Sequence, residues 1–159
     1  MLKITVITVG SLSEAHWKDA AAEYKKRLTG KVSLTDLCLK DERLPQSPSD
    51  AEIARALDAE ADRIIASIPK RATVVPLCVE GKQITSEALA AKIDTSAAET
   101  GEICFIIGSS YGLSDRVKAL AAFKLSLSVL TFPHQLAKVM LLEAIYRSVM
   151  ILSGSKYHK

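Results

Sequence analysis

LSLSVLTFPHQLAKVMLLEAIYRSV, residues Leu125–Val149, changes character at its centre. Up to Phe132 it is an apolar run suited to extended chain, and from His134 its apolar residues recur at helical spacing. Pro133 marks the change: its ring fixes φ, pushes Phe132 out of the α region and suits the start of a helix. The stretch predicts a final extended segment, "KLSLSVLTF", and then a helix from about His134 to Leu152 that Gly154 stops. The helix should carry an apolar stripe at Leu136, Val139 or Met140, Leu142, Tyr146 and Val149 or Met150. Taken alone, the corner at Pro133 has two readings. It is a rigid strand-to-helix turn, or it leaves the backbone of Leu127–Phe132 free to bond an adenine edge while Leu130 packs on the ring.

Outward from this stretch the chain alternates strand-like and helix-like segments. "LKITVITVG" is too continuously apolar for a solvent-facing strand and predicts a covered, parallel one over residues 2–9. "VSLTDLCL", "ATVVPLCV" and "EICFIIG" are three further strands, and Pro76 in the third strand asks for a bulge or a position whose amide is unused. Between them lie helices in "SEAHWKDAAAEYKKRL", with Ser13 as N-cap, and "AEIARALDAEADRIIASI", capped by Ser49 or Asp50. A third helix starts near Thr85 or Ser86, and a short fourth is capped by Ser114. "KDERLPQSPSD" excludes a regular element at Pro45 and Pro48 and predicts a flexible surface loop. This order argues for a three-layer α/β/α fold around a mostly parallel sheet, in a single domain over residues 1–159. Ligands of such sheets bind beyond the carboxyl ends of strands, which selects three junctions: Leu77–Gly81, Gly108–Gly112 and Leu127–His134.

Composition narrows the function classes. Hydrophobic residues are 48% of the 159, but in short blocks, so no membrane span is expected. The start "MLKITV" has no signal-peptide h-region, which implies a cytoplasmic protein. Cys38, Cys78 and Cys104 sit in apolar runs without a CxxC pair and read as buried free thiols. His16, His134 and His158 are far apart in sequence, so no metal site is expected. The net charge is +3, and from Ser126 onward Lys138, Arg147, Lys156 and Lys159 face the single acid Glu143. The basic excess thus belongs to the C-terminal end, a weak pointer to an anionic partner.

"GSSYG" is too loose for a dinucleotide fingerprint and has no Walker lysine; Gly108 and Gly112 serve a turn or a ligand loop. His134 at a helix start has its cationic form disfavoured by the helix dipole and serves in packing or as a neutral hydrogen-bond partner. Arg147 lies four residues after Glu143, so the two form a surface ion pair unless Glu143 is engaged elsewhere and the guanidinium is free for phosphate. In the tail "SKYHK", Tyr157 and His158 lie between two lysines. This is a frayed end or a stacking and titrating surface for a nucleotide.

"VITVGSLSEAHWKDAAAEYKKRL", "LCVEGKQITSEALA", "FIIGSSYGL", "LSLSVLTFPHQLAKVMLLEAIYRS" and the final "YHK" together resemble the RlmH (YbeA-like) family of SPOUT-class 23S rRNA methyltransferases, across essentially the whole chain. The resemblance implies S-adenosyl-L-methionine as cofactor, N3 of a pseudouridine in helix 69 of 23S rRNA as acceptor, the assembled 70S ribosome as substrate, a homodimer and a C-terminal trefoil knot. It carries the cofactor contacts onto Leu77, Gly108, Leu127, Ser128, Val129, Leu130, Thr131 and Phe132. For the chemistry the candidates are Arg147, to stabilise the uracil anion or a phosphate, and Tyr157 and His158, reaching across the dimer to position the base; the apolar stripe of the last helix and Trp17 or Tyr24 are the candidates for the interface. One departure stands out: the family usually has a second glycine directly after the first, where this chain has Ser109, whose β-carbon narrows the loop or requires a φ below zero, with Gly108 and Gly112 both kept. Two other functions remain open, a non-catalytic ribosome- or RNA-binding factor and a SPOUT methyltransferase acting on tRNA.

Overall fold

The computed structural model describes residues 1–159. Four strands form one parallel sheet: β1 (Lys3–Val9), β2 (Ser33–Leu39), β3 (Thr73–Lys82) and β4 (Glu102–Ile107), in the order β2-β1-β4-β3. The helices are α1 (Ala15–Leu28), α2 (Asp50–Ser67), α3 (Ser86–Glu99), the single turn α4 (Asp115–Lys118) and α5 (His134–Leu152). The α/β fold expected from the sequence is the one observed.

Side-chain alternation along the strands builds a core on each face of the sheet. Ile4, Val6, Val75, Ile103 and Phe105 join Leu28 of α1, Leu89 and Ile93 of α3, and Leu141 and Ile145 of α5. Ile7, Val9, Val74, Cys104 and Ile106 turn the other way, onto Ala61 and Ile64 of α2 and Val117 of α4. Covering on both faces is why these strands read as unbroken apolar runs. Pro76 is accommodated because β3 is an edge strand. The Val74 carbonyl, two residues earlier on the same side, accepts the Ala122 amide across that outer edge.

Helix starts follow local chemistry where a cap is available. Ser49 and Glu52 form a reciprocal capping box, and Thr85 and Ser114 accept from the amides of Ala88 and Arg116. Ser13 does not cap α1. Glu14 holds that position without a side-chain bond, and the Ser13 amide donates instead to Gln135 Oε1 at 2.9 Å.

Four other expectations need correction. The segment before Pro133 is not a strand; only Leu125 bridges to Leu77 and Lys82, and the rest is irregular. The fully buried face of α5 is Lys138, Leu141, Leu142, Ile145 and Ser148, so the expected stripe is rotated, with Leu136, Val139, Met140 and Tyr146 only half-buried. Cys38 is exposed, its thiol donating to the Gly10 carbonyl. The polar loop after β2 is pinned: Arg63 donates to the Lys40 carbonyl at 2.8 Å and to the Glu42 carboxylate.

Lys138 also leaves the surface charge count. It is 3% exposed and its ammonium lies 2.7 Å from Asp36 Oδ1, while Lys25 approaches Oδ2 at 2.8 Å. Burial alone would raise the Asp36 carboxyl, but the hydrogen bonds and charges of Lys138 and Lys25 outweigh it and hold Asp36 below its ordinary value. Because the folded value is depressed, this stability is present above the unfolded pKa and lost as pH falls through the folded one. Lys138→Met should lower the unfolding free energy by about 3 kcal/mol near neutral pH, by stranding half of a buried pair. Urea denaturation should find that deficit shrinking in acid.

Candidate active site

Against the C-terminal half of β3 and beyond the carboxyl end of β4 lies a cavity of about 660 Å³. Its walls are Leu77–Glu80, Ile107–Leu113, Lys118, most of Leu125–His134, and Ala137. The three junctions selected from the sequence therefore converge on one cavity. Of the residues expected to hold a cofactor, Leu77, Gly108, Leu127, Ser128, Leu130, Thr131 and Phe132 line it. Val129 does not line it and is 73% exposed.

The wall is built by contact between two backbones. The Lys82 amide donates to the Lys124 carbonyl at 2.9 Å, and the Ser126 amide donates to the Lys82 carbonyl at 3.0 Å. A β-carbon at Gly81 would lie 2.7 Å from the carbonyl carbon of Leu125, so only glycine lets the segment cross β3 this closely. Beyond that crossing, no backbone group of 127–132 is bonded to another backbone group. Ser126 Oγ donates to the Ser128 carbonyl and the Leu130 amide donates to Ser128 Oγ, leaving the other amides of the stretch without a protein partner. Unpaired donors and acceptors beside apolar side chains are what a planar heterocycle with a polar edge needs.

The opposite wall is the turn after β4. A β-carbon at Gly108 would lie 2.3 Å from the Gly112 carbonyl oxygen, so the turn closes on itself there. Ser109 fits because its φ is not positive, and its hydroxyl donates to Glu60 at 2.8 Å. Glu80 accepts from Lys118 at 2.6 Å, which holds Glu80 below the ordinary carboxylate range and Lys118 above its own ordinary value. The ring of His134 lies over Gly10 with Nε2 buried and unpartnered.

The remaining candidates meet elsewhere. Arg147 donates to Glu143 at 2.5 Å, the local pair that the spacing allowed, and this hydrogen bond keeps its guanidinium above its ordinary pKa. Glu143 also accepts from the Tyr157 hydroxyl at 3.2 Å. Burial, and then the negative charge of Glu143, push the Tyr157 phenol up. Arg147 stacks 4.9 Å over the Tyr157 ring, its Nη1 lies 3.4 Å from His158 Nδ1, and His158 Nε2 lies 2.7 Å from Glu87 Oε1. The tail is thus docked rather than frayed. Tyr157 packs edge-on against Tyr146, which in turn faces Tyr24. Of the two acids that hold this cluster, the i,i+4 spacing pointed to Glu143, whereas nothing in the sequence pointed to Glu87. None of this cluster lines the cavity. No group of three or more His, Cys, Asp or Glu is arranged to hold a metal ion.

The chain belongs to the SPOUT methyltransferase family, whose model, described as "Predicted SPOUT methyltransferase", matches residues 2–158. Within it the chain falls among the RlmH proteins. It is 43% identical over 159 residues to the ribosomal RNA large subunit methyltransferase H of Streptococcus agalactiae serotype III, covering 99% of this chain and 100% of that one. It is 46% identical, with the same coverage, to a Methanococcus maripaludis protein that carries the name provisionally. Among solved structures, the tRNA (m1G37) methyltransferase of Aquifex aeolicus shares the fold, with a TM-score of 0.52 and 15% identity over 92% of this chain and 69% of that one.

Gly81→Ala should push the Leu125 backbone off β3. Hydrogen exchange at the Lys82 and Ser126 amides is expected to rise about tenfold or more, the loss of roughly one backbone hydrogen bond, while β1 amides stay protected. Unchanged protection at both sites would contradict the role given to the crossing.

Proposed function

We propose that this chain is a single-domain, S-adenosyl-L-methionine-dependent methyltransferase that modifies 23S rRNA, at N3 of a pseudouridine in helix 69 of the assembled 70S ribosome, and that it works as a homodimer. The class of substrate rests on the full-length identity to proteins named for the ribosomal large subunit. The residues fit the cofactor: an apolar cavity, backbone groups of 127–132 left unpaired for an adenine edge, and a glycine turn opposite. When bound, S-adenosyl-L-methionine supplies an electrophilic methyl group. Leu127, Ser128, Leu130, Thr131, Phe132 and Leu77 would hold and orient it, and Gly108 would let the turn approach it. Ala122–Phe132, crossing β3 at Gly81, is the segment we assign to the trefoil knot.

The observation that carries the dimer is the distance between the two halves of the chemistry. His134 at the cavity and Arg147 in the tail cluster are on one helix, thirteen residues and so about 20 Å apart along its axis. One protomer cannot bring both to a single base. A two-fold partner running antiparallel along α5 sets the start of one helix beside the end of the other. The half-buried Leu136, Val139 and Met140 suit that contact, whereas Tyr24 is occupied by Tyr146 within the protomer. Across this interface Arg147 moves onto the uracil anion or a phosphate and so frees His158 Nδ1, Tyr157 positions the base, and His158, its Nε2–H held on Glu87, takes the N3 proton at Nδ1.

Methyl incorporation into intact ribosomes, isolated large subunits and free tRNA tests the assignment. Labelling of ribosomal RNA in intact ribosomes is expected; exclusive labelling of tRNA, or none anywhere, would contradict it. Leu130→Arg blocks the cavity and Arg147→Ala removes the tail cation, so each homodimer should be inactive. Co-refolded mixtures should recover roughly a quarter of wild-type activity, because half of the dimers are mixed and each holds one intact site. Recovery no greater than either parent would rule out a site shared between protomers. His158→Ala and Tyr157→Phe should lower the rate and alter its pH profile; an unchanged rate and profile would remove the tail from the chemistry.

A further inference from the structure

Glu60 projects from the buried face of α2 and is 4% exposed, yet no lysine, arginine or histidine pairs with it. A buried carboxylate without a cation is costly unless its oxygens are bonded, and both are. Oε1 accepts the Glu42 amide at 3.1 Å in the loop after β2, and Oε2 accepts the Ser109 hydroxyl at 2.8 Å in the turn after β4. β1 separates those two strands in the sheet, so one side chain spans the end of β1 to tie the loops on either side. One turn along α2, Arg63 fixes the same first loop through Lys40 and Glu42. On the other side, the Gly112 amide donates to the Ser109 carbonyl at 2.9 Å, so Ser109 is the post from which the whole turn hangs.

We infer that Glu60 is a positioning residue for methyl-donor binding: through Ser109 it sets where the Gly108–Gly112 turn stands against the cavity, and through Glu42 it makes the loop after β2 part of the same unit. This rests on the cavity being the donor site. It also gives Ser109 a purpose: its hydroxyl gives the turn a side-chain anchor that a glycine there would lack. Glutamine at position 60 retains a carbonyl for the Glu42 amide and can donate to the Ser109 oxygen, so it should preserve the grip. Alanine removes both bonds.

Calorimetry with S-adenosylmethionine on the full-length protein, beside hydrogen exchange without ligand, tests this. Glu60→Ala should weaken donor binding about tenfold or more and Ser109→Ala about fivefold, with Glu60→Gln within about threefold of wild type. The double variant Glu60→Ala/Ser109→Ala should be no weaker than Glu60→Ala alone. In the ligand-free protein, amides 41–43 and 110–112 should exchange faster together in Glu60→Ala while 89–93 stay protected, a pattern that general destabilisation would not produce. If Glu60→Ala does not fold, Ser109→Ala carries the decision. Wild-type binding with Ser109→Ala within twofold of it overturns the inference and leaves the donor site standing. A wild type that binds no S-adenosylmethionine overturns the functional reading itself, and the donor role of Glu60 with it.

Discussion

Two stretches of backbone touch at Gly81, and the site depends on that contact. The returning chain bonds to β3 at Val74 and Lys82, and at Gly81 the Leu125 backbone passes so close that a β-carbon would lie 2.7 Å from its carbonyl carbon. The hydrogen bonds of Lys82 to Lys124 and Ser126 lock the crossing on both sides. With Leu125 sunk into the core, Leu127–Phe132 is carried past the end of the sheet and cannot pair with it. Its unpaired amides and carbonyls follow from this geometry, and Pro133 then turns the chain into α5 within one residue. A wall of irregular backbone is tolerated because it faces a cavity in which a ligand can satisfy it.

α5 gives the molecule its second constraint. Its first turn borders the cavity and its far half carries Glu143 and Arg147, onto which Tyr157 and His158 fold back. Lys138, in the second turn of α5, is spent on Asp36 inside the protein, so it serves to fix α5 against β2 rather than to attract an anion. One rigid helix thus carries the cavity border at its start and the Glu143–Arg147 cluster toward its far end, and holds the two apart within one copy. The tail is ordered by the same helix, since Tyr157 bonds to Glu143 and stacks on Arg147.

Most of the fold was legible because its signals are local. Doubly covered strands read as apolar runs, and Ser49, Thr85 and Ser114 announced helix starts through hydrogen bonds to amides two or three residues away. The three junctions were legible because parallel sheets offer ligands only one end. What escaped depends on partners distant in sequence. Lys138 reads as a surface cation until Asp36 is brought to it, and Glu60 reads as an ordinary acid on an exposed helix. The run before Pro133 has strand composition, but it touches the outer edge of β3 only as far as Ser126, and beyond that point it has no strand to pair with. Ser109, by composition an intrusion into a glycine turn, is held by a carboxylate forty-nine positions away.

The central claim is that irregular backbone displayed by the Gly81 crossing forms the donor site. The most direct measurement is the map of backbone amide chemical-shift changes on adding S-adenosylmethionine to the isotopically labelled protein. The account predicts changes concentrated at 77–80, 108–112 and 125–134. Changes centred instead on the small cavity between Glu42 and Arg55, or none at saturating ligand, would contradict it.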